Sequence, residues 1–228
     1  MTRGRALLAA VLAGLCGFVQ PGAAQEGEKV TLRFVSFPRS TDPDPVELLV
    51  GNGVTTEVAI PSNEISGAYE VPRQGTWAVG ETVQGPDGEP SFRIFGKAKA
   101  LASPTQLILL VRKGKEYADG FEVIPIDSRV TRFGGGKFLF MNAAKVDIAG
   151  KVGDQKFALK PGGHTILEPR AEAGERTFHT SLYFRKDDEA KNFFSSKWPV
   201  SDRARGLIFF YHDPRTQRLR LHTIRDFL

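Results

Sequence analysis

The chain has 228 residues, 41% of them hydrophobic, with 31 Lys plus Arg against 26 Asp plus Glu and one cysteine. That length accommodates two domains of roughly 100 residues, each large enough to fold without disulfides. A formal charge of +5 is too mild for a nucleic-acid binder, which carries a denser basic stripe and a recognisable motif.

Residues 1–24 place Arg3 and Arg5 ahead of an apolar run from Ala6 to Cys16, then Pro21-Gly22-Ala23-Ala24. This is the charge, core and small-residue order of a secretory signal, with cleavage expected near Ala24. The run is too short for a comfortable membrane span, and no later stretch reaches about 18 apolar residues, so the mature chain is expected to lack a transmembrane segment. Cys16 falls inside the leader and Leu15 before it is bulky, which argues against a lipoprotein; the exported chain is left without a thiol or disulfide. Losing the two leader arginines brings the charge from +5 to +3.

After the leader, alternation of apolar and polar residues predicts strands at 30–35, 46–50, 54–60, 67–71, 76–80, 91–97, 106–112 and 121–126. Gly51-Asn52-Gly53 and Gly85-Pro86-Asp87-Gly88 are hairpin signals between them. Residues 129–136, with Gly134-Gly135-Gly136, read as a joint. Beyond it, strands are predicted around 138–141, 146–151, 157–159, 164–167, 177–185, 207–212 and 218–224, with Val152-Gly153-Asp154-Gln155 as a turn. Residues 187–194, DDEAKNFF, read as a short helix with acids in its first turn. Many short strands cut by turn residues imply an all-β fold of sandwiches.

The two runs of strands resemble each other. Val46, Leu48 and Pro61 match Val146, Ile148 and Pro161 at a spacing of 100, and Phe34 matches Phe138 at 104. Ser91–Ile94 is matched to Ser181–Phe184, and Leu107–Val111 to Leu207–Tyr211. The expected architecture is two tandem immunoglobulin-like antiparallel β-sandwiches, residues 29–130 and 134–228, produced by duplication.

Arg33-Phe34-Val35-Ser36-Phe37-Pro38, Asp44-Pro45-Val46-Glu47-Leu48-Leu49-Val50 and Ser66-Gly67-Ala68-Tyr69-Glu70-Val71-Pro72 are similar to a bacterial exported family of unknown function. That family opens R-F-V-H-A-S-P-x-A-P-x-V-D-V and continues through G-x-x-V-P-A-G. The resemblance covers roughly residues 31–80 and more faintly 137–170, and implies an immunoglobulin-like fold without catalytic residues. The chain departs from the pattern at Ser36, where the family has histidine, and in the longer loop before Val46.

Gly134-Gly135-Gly136-Lys137 is not a phosphate loop, because Phe138 follows the lysine at the head of a strand. G-x-S-x-G and H-E-x-x-H are both absent from the sequence. His164, His179, His212 and His222 show no metal-ligand spacing. A hairpin tip at 213–216 pairs His212 near Gln217 and His222 near Leu207, about 16 Å apart along the strands. Asp42, Asp44, Asp87 and Glu89 lie in loops but lack the glycine and distal glutamate of a calcium loop. The expectation is therefore no catalytic residue, metal or cofactor.

Alternation turns His179, Tyr183 and Arg185 outward on one strand and Arg218, Arg220 and His222 outward on another. If the two strands are sheet neighbours, these six form a basic and aromatic face for an acidic glycan or another cell-envelope component. The expected function is a non-catalytic binding or envelope-interaction module, periplasmic or extracellular. The alternative is a secreted hydrolase with its site in the cleft between the units.

Overall fold

The computed structural model describes residues 28–38, 44–114, 119–187, 189–213 and 216–228. The expected leader with Cys16 lies outside them, as does Asp42. The first unit runs β1 (Lys29–Phe37), β2 (Val46–Leu49), β3 (Thr55–Val58), β4 (Tyr69–Pro72), β5 (Thr76–Gln84), β6 (Pro90–Lys99), β7 (Thr105–Arg112) and β8 (Phe121–Asp127). A one-turn helix, α1 (Val130–Phe133), leads into the second unit. That unit runs β9 (Phe138–Asn142), β10 (Ile148–Val152), β11 (Gln155–Leu159), β12 (His164–Leu167), β13 (Thr177–Lys186), β14 (Glu189–Pro199), β15 (Ala204–His212) and β16 (Leu219–Phe227).

The strands pair as four sheets: β4-β1-β7-β8 with β3-β2-β5-β6, then β12-β9-β15-β16 with β11-β10-β13-β14. Adding eight to each strand number of the first pair of sheets reproduces the second pair. The chain is thus two tandem β-sandwiches of immunoglobulin-like size and layering, and they repeat one topology. Pairing is antiparallel except that β1 runs parallel to β7 and β9 to β15, so the expectation of wholly antiparallel sheets is corrected. Parallel neighbours require a long crossover, and the five strands between each pair supply it.

Even the irregularities recur. The β5–β6 ladder shifts register between Val79 and Gly80, leaving Phe95 unpaired, and the β13–β14 ladder shifts between Leu182 and Tyr183, leaving Phe193 unpaired. A bulge at the same place, filled by phenylalanine in both copies, marks the two hairpins as equivalent. The helix expected at 187–194 is therefore corrected: from Glu189 onward this stretch belongs to β14. Asp187, at φ 51°, makes the tight turn, and β14 pairs along the whole of β13 from Lys186↔Glu189 to Thr177↔Pro199. An eight-residue helix is marginal by itself, and ladder pairing overrides its acidic first turn.

Three cores stack through the molecule. One lies between the sheets of the first sandwich, around Phe34, Leu48, Trp77 and Ile108. Another lies between those of the second, around Phe140, Ile148, Leu182 and Phe210. The third joins the units: Val35, Phe37, Leu107, Leu109 and Ile126 meet Met141, Leu207, Phe209 and Ile224, with Phe133 of α1 fully buried among them. The inner sheets β4-β1-β7-β8 and β12-β9-β15-β16 are thus covered on both faces. This is why their central strands read as unbroken apolar runs, Leu107–Val111 and Leu207–Tyr211, rather than alternating ones.

The joint uses the same positions from each unit. Register and the buried polar pair Ser36 and Asn142 align Val35 with Met141, Leu107 with Leu207, Leu109 with Phe209 and Ile126 with Ile224. Contact through one patch repeated on both partners is the arrangement of an isologous dimer, here held within one chain.

Candidate functional site

The six residues of the expected binding face do not share a face. β13 belongs to the outer sheet β11-β10-β13-β14 and β16 to the inner sheet β12-β9-β15-β16, so the condition that the strands be neighbours is not met. On the outer sheet, His179 is exposed, with Nε2 3.2 Å from both Ser181 Oγ and Ser195 Oγ. Tyr183 and Arg185 line a separate depression of about 340 Å³ with Asp147 and Lys160.

Arg220 and His222 lie on the face of β16 that is turned toward the first unit, whereas Arg218 precedes the strand and is exposed. His222 is part of the joint: its ring lies 6.3 Å from Phe37 and 6.4 Å from Phe209, and its Nε2 is 3.1 Å from the Ser62 carbonyl oxygen. His222 pairs with Phe209 and His212 with Leu219, two residues from the expected register. Among the described residues, no group of three or more His, Cys, Asp or Glu side chains is placed to hold a metal.

The ends of the central strands build a different site. β1, β7, β9 and β15 all finish at one pole of the joint, and there a cleft of about 630 Å³ opens between the units. Its walls are Phe37, Pro38, Val111, Arg112 and Lys113 from the first unit and Ala143, Lys145, Tyr211, His212 and Gln217 from the second. Three pairs of equivalent positions contribute to its lining, one member from each unit: Phe37 and Ala143, Val111 and Tyr211, Arg112 and His212. The connections β1–β2, β7–β8, β9–β10 and β15–β16 all depart from this rim.

The floor of the cleft is fixed by packing. Phe37 stacks on Phe209 at 4.8 Å and meets Tyr211 edge-on at 5.3 Å. Asn142, fully buried, donates from Nδ2 to the carbonyls of Val146 (2.8 Å) and Leu159 (3.1 Å), and its Oδ1 accepts from the Ala144 N–H at 3.0 Å. This clamp shapes the β9–β10 turn and so positions Lys145. Arg220 is the cross-strand partner of Tyr211 on the same side of β15–β16. The residues lining the cleft include four basic groups, counting His212, and no carboxylate.

In two other depressions the cations are offset. A groove of about 570 Å³ along the joint sets Arg132 and Lys137 beside Asp127 and Glu168, with Lys137 Nζ 3.5 Å from Glu168 Oε2. A cavity of about 600 Å³ on the second unit sets Lys151, Arg170 and Lys197 beside Asp154, Glu172 and Glu175. Asp127 is held down to about 2, chiefly by its hydrogen bonds to the Arg129 side chain, with Ser103 adding to the effect. Arg205 moves downward because burial penalises its charge, partly countered by Asp226. Both are settled members of ion pairs rather than poised acids or bases.

No protein-family model matches the chain, and no curated protein is significantly similar to it. Among the described residues, no helix is long and apolar enough to cross a membrane.

Sequence reading passed over Arg112, Lys113, Lys145 and Tyr211 and treated His212 as isolated. A signal for them existed. Two unbroken apolar runs, each ending in a basic residue, Arg112 and His212, mark doubly covered strands whose ends meet at one place.

Proposed function

We propose that the chain is an exported, non-catalytic binding module, working in the periplasm or outside the cell, that takes an envelope-associated partner at the cleft between its units. The observation that carries this reading is the cleft itself: two copies of one scaffold, joined by a shared core, leave one concave surface where their central strands end. The secretory order of residues 1–24 supports export, and the resemblance of residues 31–80 to an exported immunoglobulin-like family supports the same class. The hydrolase alternative requires titratable groups tuned for proton transfer in the cleft. The carboxyls that shift clearly among the described residues, Glu47 and Asp127, shift downward and lie elsewhere.

The test uses the absence of thiols after residue 16. Gln217→Cys on the cleft rim, carrying a bulky maleimide, is expected to lose capture of its partner from a cell-envelope extract. The same label at Lys186→Cys on the outer hairpin, and the double variant Tyr183→Ala/Arg185→Ala, are expected to retain it. Unimpaired capture by the rim-labelled chain contradicts the assignment.

A further inference from the structure

The two copies differ in what fills one end of each sandwich. In the first unit Trp77 on β5 and Gln106 on β7 meet across the core. Trp77 Nε1 donates to Gln106 Oε1 at 2.9 Å, and Gln106 Nε2 donates to the carbonyls of Leu101 (2.9 Å) and Ser103 (3.0 Å). Both side chains are fully buried, so the pair fills the space and staples the β6–β7 turn over it. The matching bulges align Trp77 with Thr180, and the central strands align Gln106 with Gly206. The second unit therefore has neither indole nor amide at these positions, and Thr180 Oγ1, fully buried, has no hydrogen-bond partner.

Other side chains move in, and they leave a gap. With no side chain at Gly206, the Phe138 ring lies against the strand backbone, where an added Cβ would stand 2.6 Å from Phe138 Cδ1. Trp198 enters from the edge strand β14, reaches Phe138 at 5.6 Å and remains half-buried. Gly206 offers nothing to staple the β14–β15 turn, and a cavity of about 110 Å³ opens beside that turn. Its walls include Phe138, Trp198 and Ile208, and Thr223 and Arg225 of β16 stand at its rim. At the position of Arg225 the first unit has Asp127, which is held by Arg129 and Ser103. Arg225 is exposed, and it belongs to none of the ion pairs among the described residues.

We propose that this cavity is a second binding site, for a small aromatic carboxylate. The ring enters against Phe138, Trp198 and Ile208, and the carboxylate stays at the rim on the Arg225 guanidinium, with the Thr223 hydroxyl as a further donor. Volume sets the size of the ligand. An apolar cavity of about 150 Å³ takes a benzene ring, so a site of about 110 Å³ with an open mouth admits one ring and excludes a long acyl chain. Aromatic walls favour a ring through offset and edge-to-face contact, and the planar guanidinium fork matches a pair of carboxylate oxygens. The site lies where β9 and β15 begin, at the pole opposite the cleft. It therefore stands or falls independently of the cleft.

The experiment labels the full mature chain with 5-fluorotryptophan and titrates it with benzoate, following the Trp198 fluorine resonance against that of fully buried Trp77. A saturable shift of the Trp198 resonance alone is expected. Benzyl alcohol, which lacks the charge, and acetate, which lacks the ring, are each expected to bind about tenfold or more weakly than benzoate. Arg225→Gln is expected to lose about tenfold in benzoate affinity, while Arg218→Gln, at an exposed cation just before β16, stays within about twofold. Thr223→Phe fills the mouth from an exposed position and is expected to abolish the shift. Five results overturn the proposal: no saturable shift of the Trp198 resonance, equal shifts of both resonances, benzyl alcohol or acetate binding as tightly as benzoate, unchanged affinity in Arg225→Gln, or an unchanged shift in Thr223→Phe.

Discussion

At the residue scale, the most consequential charge in the molecule is Asp226. Its carboxylate accepts from Arg33 Nη1 and Nη2 at 3.0 and 3.2 Å and from Arg205 Nε at 2.8 Å. Arg205, 4% exposed, also donates to the carbonyls of Phe133 (2.7 Å) and Ser128 (3.1 Å) and lies over the Phe133 ring. Arg33 belongs to the first unit and the other two to the second, so this cluster crosses the joint at the pole opposite the cleft. In the aligned copies, Arg33 corresponds to Leu139, Arg205 to Thr105 and Asp226 to Ser128, so the cluster has no counterpart in the other copy and breaks the symmetry of a largely apolar interface. Buried ionic groups of this kind can fix a register between elements. Asp226→Ala leaves Arg205 buried without its counter-ion, and the expected cost is about 3–5 kcal/mol in denaturant unfolding. A loss below about 1 kcal/mol, the range of surface pairs, contradicts a structural role for the cluster.

At the element scale, the copies diverge where their sandwiches close. In the first unit β6 folds over onto β8: a Cβ added to Gly96 would stand 2.6 Å from the Phe121 carbonyl oxygen, and one added to Gly120 at 2.6 Å from that of Phe95. Phe194 and Leu219 occupy the positions equivalent to Gly96 and Phe121. There the edge is filled by side chains instead, with Phe194 5.9 Å from Trp198 and Phe138 5.6 Å from Trp198. Each sandwich keeps one tryptophan, Trp77 on β5 and Trp198 on β14, so core volume is supplied from different strands of the same scaffold. Gly96→Ala is expected to destabilise by about 1–3 kcal/mol through forced separation of β6 from β8; an unchanged denaturation midpoint contradicts the close approach. Ala is readily accommodated at exposed Gly67, where nothing lies within 4 Å of the added carbon.

The same elements define how far the sequence could be read. All eight strands of the first unit and seven of the second are evident from alternation and turn residues, and duplication is evident with them. The alignment of the copies is less so. Val46 answers Ile148 rather than Val146, and Phe34 answers Phe140 rather than Phe138, because a strand shifted by two keeps every side chain on its face. Ser91–Ile94 lies on β6 and Ser181–Phe184 on β13, which are adjacent elements of the repeat rather than equivalents. The candidate face failed for a related reason: alternation assigns a side to each residue, but which strands are neighbours is decided by long-range pairing that leaves no local mark. The cleft depends on such pairing between both units.

At the scale of the whole molecule, the third core decides how the units behave. Twelve buried residues from both halves form it, so neither inner sheet is a finished surface without the other. Apolar burial of this extent contributes at about 25 cal/mol per Å² removed from water, and the ionic cluster sets its alignment. The units are therefore expected to unfold together, and the cleft to persist as a preformed surface. Trp77 in the first core and Trp198 in the second are the chain's two tryptophans, which places one reporter in each unit. With both replaced by 5-fluorotryptophan, the two native fluorine resonances are expected to disappear at one denaturant concentration. Val79→Ala, which trims only the first core, is expected to lower the denaturation midpoint read from both resonances by the same amount. Loss of the Trp77 resonance while that of Trp198 remains native would contradict a shared cooperative joint, and with it a rigid cleft.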